Sequence, residues 1–349
     1  MKKNVILSSI AFAFILLSCS KEETGSVAPD LPDIAKEYIV ATYAGTGNQG
    51  FKDGAAINAQ FGYAAGLALD AQGNLYVADE ENHRIRKISP DGLVTTLAGS
   101  GVAGFADGVG ITAQFNKPKA VALDQQRNVY VADKENRSIR KITPIGVVST
   151  LAGSPSTTQF SRPLGVAVDG QNTVYVADYN YTGGIKDHRI LKVSPQGQVS
   201  TLAGGASMRD FSQPQGLVVN SQGTVYVADP VSNYIFKISA AGAVSVVAGA
   251  GKRGYVDATG DKAQFDYCSD IALDAQGILY VADALNNRIR RVSAKGVVTT
   301  IAGNGTSGHV EGPGAAARFH SPTNVTIDSQ GNLYVTDYNN FRIRKLTVK

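Results

Sequence analysis

Six copies of one motif, four short apolar runs in each copy and turn residues between the runs predict an all-β chain folded as a six-bladed β-propeller. The motif is plainest at Tyr76-Val77-Ala78-Asp79, and its aspartate returns as Asp133, Asp178, Asp229, Asp283 and Asp337. The spacings are 54, 45, 51, 54 and 54 residues. A period of this size marks a repeat architecture, so the 349 residues read as one closed array rather than two domains. The 38 glycines suit strands joined by tight turns, and no helical apolar period stands out beyond the N-terminus.

The chain opens on Met1-Lys2-Lys3, followed by a short apolar run ending Leu16-Leu17-Ser18-Cys19. A basic tip and a run this short read as a secretory signal over residues 1–18, not as a membrane span. The last four residues resemble the lipobox of bacterial lipoproteins, with Leu17 the less usual occupant; an ordinary signal peptide with an incidental cysteine is the alternative. By that resemblance Cys19 is the acylated first residue of the mature chain, and several acyl chains anchor firmly at about 0.8 kcal/mol per buried methylene. Ser20-Lys21-Glu22-Glu23 is similar to the surface-export signal of Bacteroidetes lipoproteins. The expected location is therefore the outer membrane, lipid-anchored and cell-surface facing, with a periplasm-facing anchor as the other option. Residues 19–36, with Pro29 and Pro32, read as acylated cysteine and flexible tether, and residues 37–349 as the propeller.

Each repeat then offers four runs. Leu67-Ala68-Leu69 and its equivalents alternate large and small side chains, which suits an inner strand at a crowded axis. Gln72-Gly73-Asn74 supplies a turn, and Leu75-Tyr76-Val77-Ala78 makes the second run. The third, residues 84–88, is basic and is expected to lie nearer the solvent. The fourth, residues 94–99, is rich in β-branched side chains. The last copy lacks a fourth run, whereas an unmatched one, residues 39–45, precedes the first inner strand. The N-terminal strand is thus expected to close the last blade and remove an exposed edge.

Asn82-His83-Arg84-Ile85 after the Tyr-Val-Ala-Asp segment, with Phe160-Ser161-Arg162-Pro163-Leu164-Gly165 before an inner strand, resembles the NHL-repeat family. Six such repeats cover nearly all of residues 37–349, and the resemblance implies a six-bladed propeller. It does not imply one activity, since relatives include protein-binding modules, RNA-binding domains, extracellular sensors and a zinc-dependent amidating lyase.

Residues that repeat read as framework. The six aspartates obey the period, accept hydrogen bonds from the following turn and are placed to pair with Arg84, Arg189, Arg288 or Arg342. The long loops carry Phe51, Phe105 and Tyr255, expected to tuck beneath them, and one acid each (Asp53, Asp107, Asp257, Glu311), too few for calcium. His83 and His188 hold equivalent places, and the four histidines show no compact metal-ligand spacing. Cys268 stands where other repeats have proline and reads as an inert buried thiol. Net charge is +4, or +2 (31 Lys and Arg against 29 Asp and Glu) without Lys2 and Lys3, and aromatics are not interleaved with the basic strands, so no nucleic-acid partner is expected.

Function is expected where the repeats differ. Two residues after Phe61 and its equivalents stand Tyr63, Lys117, Arg162, Gln213, Tyr267 and Ser321, with Lys119, Gln215, Asp270, His320 and Asn324 nearby. These positions are expected to ring the mouth of the central channel, with Tyr63, Lys117, Arg162, Gln213, Tyr267, Asp270, His320 and Asn324 as ligand-binding candidates. Tyrosine faces and a bidentate arginine suit a polar ligand such as a sugar or an anionic group. The third repeat adds an insertion with Tyr179 and Tyr181, read as a contact loop. The expectation is a non-catalytic binding protein, its partner a glycan or an envelope or extracellular protein, with no cofactor. The alternatives are a metal-dependent enzyme of the gluconolactonase or amidating-lyase kind, with calcium or zinc held partly by His320, Asp270 and Asn324, and an envelope assembly scaffold.

Overall fold

A computed structural model of the chain describes Met1 and residues 36–182, 185–205 and 211–349. The expected signal peptide, Cys19 and most of the tether fall outside the described residues. No helix among the described residues is long and apolar enough to cross a membrane.

Residues 36–349 form six antiparallel sheets of four or five strands, one per repeat. In blade 1 the order from the axis outward is Ala64–Leu69, Leu75–Asp79, Arg84–Ile88 and Leu93–Ala98, with the short strand Gly54–Ala55 on the rim. The inner strands of the other blades are Pro118–Leu123, Pro163–Val168, Leu217–Val219, Cys268–Leu273 and Pro322–Ile327. Closure is as expected: Tyr38–Ala44 pairs antiparallel with Arg342–Val348 and completes the sixth sheet.

The local chemistry explains the regularity. Asp70 ends the first inner strand, and its Oδ1 accepts the amides of Gln72 and Asn74 while Oδ2 accepts the Tyr76 hydroxyl, which fixes the hairpin turn. Asp124 and Asp274 each accept the tyrosine hydroxyl in the same way in their own blades. Large aliphatic and aromatic residues fill the spaces between blades: Phe61, Leu75, Val77 and Ile88 of blade 1 share a cluster with Tyr334 and Ile343 of blade 6. Burying each such side chain is worth about 1.5–3 kcal/mol, so each blade is stabilised by its neighbours. Close approach needs small residues: a Cβ on Gly165 would lie 1.9 Å from the Gln215 carbonyl oxygen of the next blade.

Two expectations are corrected. The basic third strands are not outward and solvated, because Arg86, Arg140, Arg290 and Arg344 are fully buried. These arginines, two residues beyond Arg84 or its equivalents, pair with the repeat aspartates: Arg86 Nη1 lies 2.7 Å from Asp79 Oδ2 and Arg140 Nη1 2.9 Å from Asp133 Oδ2. Arg189 does pair with Asp178, at 2.9 Å, because Leu191 holds the usual arginine position. Arg86 also donates to Asp53 and to the Lys52 and Gln60 carbonyls, tying the long loop to the blade. Asp53, Asp107 and Asp257 are thus arginine partners, whereas Glu311 accepts the Thr42 amide. Phe51 and Tyr255 are also not tucked away, being 44% and 43% exposed, and each lies against a guanidinium.

Three blades are also stapled to the next by the residue just before the third strand. His83 Nδ1 accepts the Lys117 amide at 3.1 Å, and Asn233 and Asn287 do the same for Tyr267 and Ser321. Burial lowers the His83 pKa, so the folded protein favours the neutral ring. This contribution is present above about pH 6.5 and is lost as pH falls through the lower folded value. In melting curves from pH 7.5 to 5, His83→Asn is expected to lose less stability on acidification than the unaltered chain; equal losses would show that the staple does not titrate.

Candidate functional site

The six inner strands surround a central cavity of about 700 Å³. Leu67, Val121, Val166, Leu217, Ile271 and Val325 line it, one per blade, although more of its surface is polar than apolar. Polar side chains line both ends: Lys119, Gln215, Ser269, Asp270 and Asn324 where the strands begin, and Asn220, Gln222, Asp274 and Gln276 where they end. Several inner-strand amides are taken up across blades, as where Gly216 donates to the Ser269 carbonyl.

Of the eight candidate mouth residues, Asp270 and Asn324 line this cavity. Both are also braces between blades. Asp270 Oδ2 accepts the Val325 amide and Asn324 Oδ1 the Leu67 amide, each at 3.0 Å. The remaining six lie outside the cavity lining. Tyr63 stacks on Tyr338 with centroids 4.3 Å apart and planes 18° apart, and Phe341 closes the group at 5.1 Å. Lys117 pairs with Glu81 at 2.8 Å and the exposed Arg162 with Glu135 at 2.9 Å. Gln213 and His320 are held through their backbone amides by Asp229 and Asp337. Tyr267 is half-buried, and burial raises its phenol pKa.

In the blade 3 insertion, Tyr179 stacks on His188 at 4.8 Å. The backbone of Tyr181–Thr182 pairs with Ile185–Lys186 as a small ribbon; the Tyr181 side chain lies outside the described residues.

Glu80, Lys134 and Tyr338 complete the mouth and are absent from the sequence-derived set. They immediately follow the repeat aspartates, where the six blades carry Glu80, Lys134, Tyr179, Pro230, Ala284 and Tyr338. That spread of chemistry after an invariant residue was the signal available in the sequence. The Glu80 carboxylate sits between Lys119, at 3.1 Å, and Lys134. Burial opposes its charge, yet the two lysines hold its pKa below the usual value. Lys119 Nζ also lies 5.6 Å from the Tyr338 ring centre.

A metal at this mouth would need donors that converge. Asp270 and Asn324 each give one oxygen to the neighbouring blade, and His320 is outside the lining. Among the described residues no group of three or more His, Cys, Asp or Glu is placed to hold an ion. The residues present therefore do not fit the metal site of the alternative reading.

The family model described as NHL repeat matches residues 61–88, 211–234 and 319–346, which are the inner three strands of blades 1 and 6 and part of blade 4. The chain carries NHL repeats. Among curated relatives, this NHL propeller is 29% identical to NHL repeat-containing protein 2 of Gallus gallus, over 81% of this chain and 46% of that protein. The chain thus spans about half the length of that relative or less. Among solved structures it is similar to an auxiliary nutrient binding protein from Bacteroides thetaiotaomicron, with a TM-score of 0.71, 19% identity, and coverage of 89% of this chain and 76% of that one. A gluconolactonase from Xanthomonas campestris shares the fold at a TM-score of 0.60 and 17% identity, over 93% of this chain and 99% of that one. At these identities the solved structures speak to the propeller fold alone.

Proposed function

We propose that this NHL propeller is a non-catalytic binding protein, lipid-anchored through Cys19 at the outer membrane and facing the cell exterior, that takes a glycan or a protein segment at its channel mouth. The observation that carries this reading is the coincidence of cavity and variation. The 700 Å³ channel passes the strand starts, where the repeats differ, and Lys119, Gln215, Ser269, Asp270 and Asn324 line it there. A concave site that combines aliphatic residues with a few convergent polar groups is the usual form of a ligand pocket. The nutrient-binding description of the Bacteroides neighbour is compatible with it.

A panel of soluble glycans and detergent-solubilised envelope proteins, read by calorimetry, tests the reading. Lys119→Ala is expected to change the affinity of any ligand found by about tenfold or more, since charged hydrogen bonds are worth about 1.5–3 kcal/mol. Arg162→Ala, on the outer rim, is expected to matter less. Binding that ignores Lys119→Ala, or no binding across the panel, would remove the channel mouth as the site. Globomycin-sensitive processing and radiolabelled palmitate on the native chain but not on Cys19→Ser test the anchor.

A further inference from the structure

We propose, resting on the channel-mouth reading, that the ligand presents a primary ammonium group and that the Asp270 carboxylate is its counter-ion. Two acids line the cavity, and they differ. Asp274 is occupied by turn donors, accepting the Gln276 and Ile278 amides and the Tyr280 hydroxyl. Asp270 takes the Val325 amide on one oxygen and makes no ion pair among the described residues. The nearest cation acting on it is Lys119 of blade 2, whose ammonium is already held by Glu80 at 3.1 Å. A buried carboxylate without a counter-ion is costly, and a cation delivered from the channel removes that cost.

Position supports the same chemistry. At this ring position the other blades carry Gly66, Ala120, Gly165, Gly216 and Asn324, so Asp270 is the one charge there. The carboxylate lies against Gly216 of blade 4; a Cβ on that glycine would fall 2.2 Å from Oδ1. Beside it Gln215 also lines the cavity, and its buried side-chain oxygen accepts no hydrogen bond in the structure. One seam therefore holds a carboxylate without an ion pair and, beside it, an amide oxygen without a donor. A hydroxyl would satisfy hydrogen bonding, but a cationic donor such as an ammonium also balances the charge. The rim already shows the pattern internally, with the Lys119 ammonium on the Glu80 carboxylate and near the Tyr338 ring.

Burial pushes the Asp270 carboxyl up to about 7, against the Val325 and Ile271 amides and Lys119. A bound cation favours the ionised form, so binding near pH 7 is expected to release protons.

Calorimetry of the full chain with ethanolamine, glucosamine, glucose, N-acetylglucosamine and calcium chloride, in two buffers of different ionisation enthalpy, tests the assignment. Ethanolamine and glucosamine are expected to bind with proton release, and the uncharged sugars to bind at least tenfold more weakly. Glucosamine tighter than ethanolamine identifies an amino sugar, and equal affinity identifies any small ammonium. Asp270→Asn is expected to lose the amines at least tenfold while keeping its melting midpoint, because Asn324 shows that an asparagine here still braces the next blade. Amine affinity unchanged in Asp270→Asn overturns the proposal, as does calcium binding that excludes the amines. Neutral sugars that bind through Lys119 while amines do not would overturn the ammonium assignment and leave the channel-mouth reading standing.

Discussion

A chain that begins at Ala44 loses its single cooperative melting transition. Tyr38–Ala44 is the fourth strand of blade 6, hydrogen-bonded along Arg342–Val348 from Tyr38 opposite Val348 to Ala44 opposite Ile343. Its inward residues Tyr38 and Val40 are buried in the cluster that holds Phe319, Val325 and Leu346, so removing them opens the ring at its only covalent gap. Two large buried side chains contribute about 3–6 kcal/mol by transfer alone. The exposed edge left behind invites pairing with other chains. Differential scanning calorimetry and light scattering check this: a broad or absent transition with association is expected, and an unchanged midpoint would show that the strand does not close the fold.

Arg140→Leu is expected to destabilise the protein by about 3–5 kcal/mol, because it leaves the fully buried Asp133 without its cation. The same change frees Asp107 and the Ala106 and Gln114 carbonyls, so the rim loop also loosens. Blade 3 suggests a rescue. There Leu191 takes the usual arginine position and Arg189, opposite Asp178, supplies the charge. In blade 2 the residue opposite Asp133 is Ser138, so Ser138→Arg added to Arg140→Leu rebuilds the blade 3 arrangement. Urea denaturation is expected to show the double substitution recovering part of the loss; no recovery would mean that Arg140 acts through the loop rather than through Asp133.

Much of this architecture was legible in the sequence because period and strand count are global constraints. Five Tyr-Val-Ala-Asp segments, a sixth reading Tyr-Val-Thr-Asp, and one displaced fourth run leave little freedom in how the ring closes. The side of each strand was harder to read. The segment Arg84-Ile85-Arg86-Lys87-Ile88 alternates charge and aliphatic groups as a half-exposed strand would, yet Arg86 is buried on the charges of Asp79 and Asp53. Those partners come from other parts of the blade, 7 and 33 residues away, and no local pattern announces them.

The site was partly legible for a related reason. Comparing repeats located the mouth and singled out Asp270 and Asn324, which do reach the channel. It could not show that Tyr63 turns toward Tyr338 and Phe341, or that Lys117 and Arg162 pair with Glu81 and Glu135 from the preceding blades. Those contacts depend on how neighbouring blades are rotated. Glu80 and Lys134 were hidden by the regularity of the aspartate before them.

The account rests on the claim that ligand recognition sits at the channel mouth and not on the rim loops. Hydrogen–deuterium exchange of the full chain, with and without the tightest-binding compound from the panel, tests it directly. Slowed exchange is predicted over residues 119–121, 215–217, 269–271 and 324–325, which line the cavity. Slowing confined to the rim loops at residues 47–54, 101–108, 251–257 and 305–312 would contradict it.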